Sequence, residues 1–244
     1  MSLPHFFAGA PEPGEVVVLE AEEARHALRS LRLRPGREFS SSDGRGAAVR
    51  CRIVRVERDR VEGEVVERTV DRPAVPRLTV VLAPPKGDRL AWAVQKLTEV
   101  GVDEIRLAET DRSVRRWTGP RGARAGHRLE AVAREAAKQS HRRFLPDVGS
   151  PEVWSEALRD AASRGVVVVL WERAETPLSE ALPGSPPAEL AVAVGPEGGI
   201  SEAEARAAEA AGARLASLGP RVLRTETAAV VGAALVLARY GRLG

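Results

Sequence analysis

The sequence predicts an α/β protein in which a small β-rich module precedes a larger domain of alternating strands and helices. Up to about Val70 the chain shows short β-branched runs separated by turn residues, whereas from Leu78 onward apolar runs of strand length alternate with amphipathic segments. Residues 71–76 (DRPAVP) lie between these regions, and their two prolines are typical of a linker. We therefore predict one domain at 1–72 and a second at 73–244, with helices on both faces of its sheet.

The first module is expected to consist of short strands around one helix. Val16 to Leu19 is a β-branched run, and Val49 to Val56 shows the period-two alternation of a half-buried strand, as does Val61 to Val66. The sequence SDGRG at 42–46 predicts a turn. Only Ala21 to Leu31 has helical character.

The second domain is expected to open with a strand at Leu78 to Leu82. Asp88 is placed to cap the helix that follows, and Gly101 to end it. Asp103 to Ala108 suits the next strand. Trp92 lies at helical spacing among apolar residues, and we expect it in the core.

Further strands and helices alternate through the second half. Leu129 to Gln139 suits a helix with one apolar face. Val166 to Leu170 and Leu190 to Val194 are continuous apolar runs, which are typical of strands in the middle of a parallel sheet. Ser201 and Glu204 have the spacing of a capping box, which predicts the start of another helix.

A short strand at Leu215 to Leu218 precedes the last helix, which begins at Thr225 or Thr227 and ends near Tyr240. This helix is apolar on nearly every side, more than one domain core usually covers. Its composition is one reason to expect a dimer that forms through the C-terminal domain.

Composition favours a cytoplasmic protein that binds neither membrane nor metal. Hydrophobic residues make up 43% of the 244 residues, yet no apolar stretch reaches the roughly 18 residues of a membrane helix. The N-terminus has neither the basic leader nor the sustained apolar region of an export signal. Cys51 is the single cysteine, so it has no partner for an internal disulfide, and no Cys/His cluster has metal-ligand spacing.

Positive charge is almost entirely arginine and is unevenly distributed. Residues 25–37 hold five arginines and a histidine, and residues 112–128 hold six arginines and a histidine, with no acidic residue in either segment. Codon bias would explain the choice of arginine over lysine, and arginine runs are often only solvated surfaces. The segregation favours a polyanion partner, because arginine pairs with phosphate through two parallel hydrogen bonds.

Two Gly-Pro loops suggest a binding cleft. GPEGG at 195–199 follows one apolar strand, and SLGPRVLRTETA at 217–228 connects a second strand to the last helix. Loops at the carboxyl ends of neighbouring strands would form a cleft lined by main chain, with Trp171 and Glu172 as a third wall. Neither loop fits the dinucleotide or P-loop fingerprints. The alternative is a tight turn without a ligand.

These two motifs resemble the signatures of the ribosomal RNA small subunit methyltransferase E family, within the SPOUT superfamily. Further matches are KGDRLAWAVQKLTEVGVDEI at 86–105, DRSV at 111–114, EAAKQSHR at 135–142 and ARHALRSLRLRPG at 24–36. Lys138 departs from the family, which commonly has an acidic residue there. It would add positive charge where RNA is expected.

The resemblance implies a PUA-like β-barrel at 1–72 and a SPOUT-type α/β domain with a deep trefoil knot at 73–244. It also implies S-adenosyl-L-methionine as cofactor, a homodimer, and methylation of uridine N3 in the 16S ribosomal RNA of the 30S subunit. The glycines would let main chain surround the adenosine. The expected cofactor-binding residues are Leu170, Trp171, Glu172, Gly195, Pro196, Glu197, Gly198, Gly199, Ile200, Leu218, Gly219, Val222, Leu223, Arg224, Thr225 and Ala228.

Methyl transfer from a sulfonium depends mainly on alignment, but the uridine N3 proton must also leave. We expect Arg224 to stabilise negative charge on the uracil oxygens and Glu226 to accept the proton. Glu226 equally suits a structural role, since a carboxylate in the first turn of a helix favours the helix dipole. The residues expected to contact RNA are Arg25, Arg29, Arg32, Arg112, Arg115, Arg116, Gln139, Ser140 and Arg142.

Two other functions are compatible with these residues. A related enzyme would methylate another atom, such as a ribose 2′-oxygen of transfer RNA. A ribosome-assembly factor would bind RNA without catalysis, although the intact glycine motifs count against it.

Overall fold

The computed structural model describes residues 3–113 and 120–243, which form two compact units. The first unit contains the chain up to Pro73 together with Ala137–Leu145, and the second contains Ala74–Ala136 and the chain from Pro146 onward. The sequence suggested a single crossing between domains near residue 72. The structure shows in addition that a nine-residue segment from the middle of the chain packs with the first unit.

The first unit is a five-stranded sheet in the order β1-β3-β4-β5-β2 with a short helical segment. The β1–β3 pair is parallel, and the other pairs are antiparallel. Its elements are β1 (His5–Phe6), β2 (Val16–Glu20), α1 (Ala21–Arg25), a π-helical turn (His26–Ser30), β3 (Glu38–Ser42), β4 (Ala47–Glu57) and β5 (Arg60–Val70). The strands predicted from alternation are confirmed as β2, β4 and β5. The sequence missed β3, because EFSSS lacks the β-branched residues typical of strands.

The core of the first unit explains a glycine within a strand. Phe6, Leu19, Phe39 and Ile53 are almost completely buried. A Cβ atom on Gly63 would lie 2.5 Å from the ring of Phe39, so only glycine leaves room for this ring beneath β5.

His5 at the start of this sheet is buried and hydrogen-bonded to two hydroxyls. Its Nδ1 lies 2.9 Å from Ser40 Oγ, and its Nε2 lies 3.2 Å from Ser42 Oγ. Burial lowers the pKa of His5 to about 4, and the positive charges of His141 and Arg143 act in the same direction. The neutral imidazole is therefore the form that the fold favours.

The second unit is a parallel sheet in the order β12-β10-β11-β6-β7-β8, with β9 paired to β7. The strands are β6 (Arg77–Leu82), β7 (Glu104–Glu109), β8 (Asp147–Val148), β9 (Glu152–Val153), β10 (Val166–Leu170), β11 (Glu189–Val194) and β12 (Arg214–Ala216). The helices are α2 (Arg89–Val100), α3 (Pro120–Gln139), α4 (Trp154–Arg164), α5 (Leu178–Ala181), α6 (Glu202–Ala210) and α7 (Thr225–Arg239).

Both faces of this sheet are covered, as the alternation predicted. One apolar cluster joins the sheet to α2, α3, α5 and α7, and another joins it to α4 and α6. The apolar runs at 166–170 and 190–194 are confirmed as interior strands. In the part of the chain that the structure describes, no helix is both long and apolar enough to cross a membrane. The trefoil knot stays a prediction of the resemblance.

Local signals for helix ends succeeded in most places. Gly101 adopts φ +108° and ends α2, and Ser201 and Glu204 form the predicted capping box at the start of α6. The last helix begins at Thr225. Asp88 occupies the N-cap position of α2, but its side chain makes no capping hydrogen bond.

The prediction that Trp92 lies in the core is wrong, because its side chain is 45% exposed. Helix α2 buries Leu90, Ala93, Val94 and Leu97. At 100° per residue, Trp92 lies about 200° from Leu90 around the helix, on the opposite side. The buried face is one stripe of α2, and Trp92 is outside it.

Candidate active site

A cavity of about 290 Å³ lies where three strands of the second unit end. Parallel strands bring the loops after β10, β11 and β12 to the same edge of the sheet, and the first turn of α7 adjoins them. The lining residues are Leu170, Trp171, Glu172, Val194, Gly195, Pro196, Glu197, Gly198, Gly199, Ile200, Ser217, Leu218, Gly219, Arg221, Val222, Leu223, Thr225 and Ala228.

The cavity unites nearly all the residues that the sequence analysis assigned to the cofactor. Arg224 is the one that does not line it. The structure adds Val194, Ser217 and Arg221 to the set. Val194 immediately precedes GPEGG, and the other two lie within SLGPRVLRTETA, so including whole motifs would have found them.

The GPEGG loop is held by neighbouring segments. The Thr225 hydroxyl donates a 3.0 Å hydrogen bond to the carbonyl of Gly195, which joins the loop to the start of α7. The main-chain N–H of Lys86, after β6, donates a 3.0 Å hydrogen bond to Glu197 Oε1. The loop is therefore fixed to two other strand-to-helix connections of the same sheet.

Glycine is required in this loop for two different reasons. Gly199 adopts φ +68°, and a Cβ atom there would lie 2.8 Å from Oε1 of Glu172. At Gly195 a Cβ atom would lie 2.7 Å from Cγ2 of Ile200. Gly199 has a left-handed backbone and Gly195 lies close to a side chain of the same loop, so each position favours glycine for its own reason.

The two candidate catalytic residues lie at the start of α7. Arg224 is the exposed N-cap residue, between the cavity-lining Leu223 and Thr225. Glu226 is buried, and its Oε1 lies 3.5 Å from Nε of Arg89. Its Oε2 has no hydrogen-bond partner among the residues that the structure describes. Glu226 therefore packs against α2 and does not line the cavity.

Comparison with known proteins agrees with this architecture. Residues 72–237 match the profile of the RNA methyltransferase domain, and residues 19–66 match that of the RNA methyltransferase PUA domain. The chain is 36% identical to the ribosomal RNA small subunit methyltransferase E of Mycobacterium bovis over 225 residues, which cover 91% of this chain and 86% of the relative. The Bacillus subtilis protein of the same name is 30% identical, with 86% and 85% covered. This chain belongs to the ribosomal RNA small subunit methyltransferase E family.

Solved structures of relatives share the fold of this methyltransferase over nearly its whole length. The family member from Neisseria gonorrhoeae, solved bound to S-adenosyl methionine, superposes with a TM-score of 0.88 at 28% identity, with 98% of each chain covered. A methyltransferase from Legionella pneumophila, solved with the same cofactor, has a TM-score of 0.86 at 27% identity, again with 98% of each chain covered.

The first unit of this methyltransferase carries two of the predicted RNA-binding segments. Arg25, Arg29 and Arg32 are exposed, and they make no ion pair with the acidic residues that the structure describes. The strand arginines of the same unit do pair with glutamates: Arg50, Arg52, Arg55, Arg60 and Arg68. The unpaired group is therefore available for an anionic partner.

The second predicted segment comes from the end of α3 and the residues after it. Gln139 is exposed, and Ser140 and Arg142 are half-buried within the first unit. Lys138 forms an ion pair with Glu23 of α1, at 2.5 Å. Glu23 therefore offsets the positive charge of Lys138, and the expectation that Lys138 adds charge where RNA binds stays a prediction.

Arg112 belongs to the second unit. Its Nη1 donates a 2.9 Å hydrogen bond to the carbonyl of Gly198 in the GPEGG loop. Arg115 and Arg116 are outside the described residues. The structure therefore places one predicted RNA contact against the loop that lines the cavity.

Proposed function

We propose that this chain transfers a methyl group from S-adenosylmethionine to N3 of a uridine in the 16S ribosomal RNA of the small ribosomal subunit. The observation that carries the proposal is the cavity at the strand ends, lined by both glycine motifs. Support also comes from the family and from the Neisseria relative, whose structure holds the same methyl donor.

The cavity fits this cofactor in shape and charge. The glycines at 195, 198 and 199 and at 219 line the cavity and have no side chain, so an adenine can approach the main chain closely. Leu170, Ile200 and Leu218 add an apolar surface. Glu172 and Glu197 bring negative charge beside a cofactor whose sulfonium is positive. When bound, S-adenosylmethionine supplies an already activated methyl group.

The protein's own part in the reaction is to position the uracil and to favour loss of its N3 proton. Arg224 follows a cavity-lining residue and is exposed, so its guanidinium is free to stabilise negative charge on the uracil oxygens. Glu226 is two residues further along the chain, and it is buried against Arg89. We propose that its carboxylate holds α2 and α7 together and, as the second possibility, accepts the proton.

RNA would be held by the unpaired arginines of the first unit. Arg25, Arg29 and Arg32 lie within one short segment, and the Lys138–Glu23 ion pair brings Gln139 and Arg142 to the same unit. A surface assembled from distant segments suits a structured RNA, such as the 30S subunit, better than a short single strand. We propose that the protein acts in the cytoplasm on that particle.

We also propose that the chain is a homodimer through its second unit. Leu235 on α7 is 49% exposed and Trp92 on α2 is 45% exposed, and these two helices pack against each other. Because the two helices that carry them pack together, we propose that these exposed side chains belong to one association surface.

The decisive experiment is methylation of small ribosomal subunits that lack the modification. The purified protein and radiolabelled S-adenosylmethionine should yield 3-methyluridine in 16S ribosomal RNA, identified by nuclease digestion and mass spectrometry. Methylation of a ribose 2′-oxygen, or of transfer RNA in place of subunits, would replace the proposal by a related activity. If the protein binds subunits but transfers no methyl group, the proposal is replaced by that of a ribosome-assembly factor.

A further inference from the structure

The peptide between Gly198 and Gly199 is the most easily rotated peptide in the GPEGG loop. Glycine on both sides means that no Cβ atom restricts rotation of this peptide plane. A flip would exchange its carbonyl oxygen and N–H, and both residues line the cavity. The orientation of this peptide therefore depends on the hydrogen bonds that its carbonyl oxygen and its N–H make.

Both polar atoms of this peptide are fixed in the structure. The N–H of Gly199 donates a 2.8 Å hydrogen bond to the carbonyl of Pro196, which closes a tight turn. The carbonyl of Gly198 accepts the 2.9 Å hydrogen bond from Nη1 of Arg112. The first hydrogen bond belongs to the loop, whereas the second comes from a residue 86 positions away.

The backbone around Arg112 is itself held in place. The N–H of Thr110 donates to the Ser113 hydroxyl at 2.9 Å, and the N–H of Ser113 returns a 3.1 Å hydrogen bond to the carbonyl of Thr110. The N–H of Asp111 donates a 3.0 Å hydrogen bond to Oε1 of Glu204. Glu204 also closes the capping box of α6, directly after the GPEGG loop. The backbone next to Arg112 is thus anchored to α6, which directly follows the loop that the Arg112 side chain contacts.

We infer that Arg112 is a positioning residue for the cofactor: its guanidinium locks the Gly198–Gly199 peptide in the orientation that the cofactor requires. This inference rests on the proposed use of S-adenosylmethionine. It assigns Arg112 to the cofactor site, whereas its arginine-rich segment suggested an RNA contact. Without the Arg112 hydrogen bond, only the bond from the Gly199 N–H to the Pro196 carbonyl resists a flip of this peptide. The flipped orientation is then more populated, and cofactor binding has to reorder the peptide, which lowers the affinity.

The test compares three single variants of the full chain by calorimetric titration with S-adenosylmethionine and by binding to small ribosomal subunits. Arg112→Met keeps the apolar stem but removes the donor, while Arg112→Lys keeps the charge on a side chain one bond shorter. Arg173→Met is the matched control, because Arg173 is exposed and pairs with Glu202 at the start of α6 without contacting the loop. We expect both Arg112 variants to bind the cofactor roughly five- to tenfold more weakly, the effect of one hydrogen bond. Arg173→Met should bind it normally.

A second substitution tests whether the loss of affinity comes from the orientation of the Gly198–Gly199 peptide or from a general disturbance of the fold. A Cβ atom on Gly198 would make only ordinary contact with Arg112, at 3.6 Å from its Cβ. Gly198→Ala should therefore be tolerated, and its Cβ should restrict the flip. Added to Arg112→Met, it should recover most of the lost cofactor affinity.

The outcomes are distinct. The inference is overturned if both Arg112 variants bind the cofactor as tightly as Arg173→Met does. If, in addition, Arg112→Met loses affinity for subunits that Arg112→Lys retains, the positive charge of Arg112 serves RNA binding instead. The inference is also overturned if Gly198→Ala recovers nothing. Failure of the unaltered protein to bind S-adenosylmethionine would instead refute the proposed function.

Discussion

Replacing Gly199 by valine tests whether the cofactor lies against the GPEGG loop. The substitution places a β-branched residue at φ +68°, and its Cβ atom would lie 2.8 Å from Oε1 of Glu172. Since Glu172 also lines the cavity, the substitution disturbs two walls at once. We expect cofactor affinity to fall by about ten- to a hundredfold, which corresponds to about 1.4–2.8 kcal/mol.

Backbone strain alone must be separated from this effect. Gly212 follows α6 with φ +93°, and a Cβ atom there would meet no other atom within 4 Å. Gly212→Val therefore carries the same left-handed strain, about 1–2 kcal/mol, outside the cavity. Both variants should lower Tm by about 2–8 °C. Only Gly199→Val should lose cofactor.

Calorimetric titration with S-adenosylmethionine measures the cofactor affinity, and scanning calorimetry measures Tm. Binding to small ribosomal subunits should be unchanged in both variants, because the arginines of the first unit are untouched. If Gly199→Val binds the cofactor as tightly as Gly212→Val does, the cofactor does not approach this loop and the proposed site is wrong.

Three further predictions concern RNA, pH and assembly. Arg29→Gln combined with Arg32→Gln should weaken RNA binding and reduce the slope of log K against log salt by about 1.5–2, whereas Arg55→Gln, whose arginine is paired with a glutamate, should change neither. The folded-state pKa of His5 is about 4, below the unfolded value of 6.5, so its contribution to stability is present above pH 6.5 and is lost as the pH falls towards 4. Urea unfolding at pH 7 and pH 4.5 should show a smaller loss of stability for His5→Gln than for the unaltered protein, and an equal loss would contradict this assignment. Leu235→Glu should convert a dimer into a monomer by light scattering, and an unaltered protein that is already monomeric at micromolar concentration would remove the dimer proposal.

Signals that depend on near neighbours in sequence were the ones that predicted structure well. The apolar runs of β10 and β11, the glycine that ends α2 and the capping box of α6 each follow from a few adjacent residues. Trp92 shows how such reasoning fails, because helical spacing alone does not say which stripe of a helix is buried. Strand β3 was not predicted, because its composition is not typical of a strand. It is a strand because it pairs with β4.

The sequence by itself determined the α/β class and many of the strands and helices, because hydrophobic periodicity and local turn signals encode them. The residues expected around the cavity followed from the resemblance of the two glycine motifs to a known family. Only the tertiary structure decided which distant residues meet. Strand order brings the loops after β10, β11 and β12 to one edge, and packing returns Ala137–Leu145 to the first unit. The contact of Arg112 with Gly198 and the pairing of Lys138 with Glu23 join residues far apart in the chain. Such contacts depend on how whole elements pack, and no local pattern of residues records them.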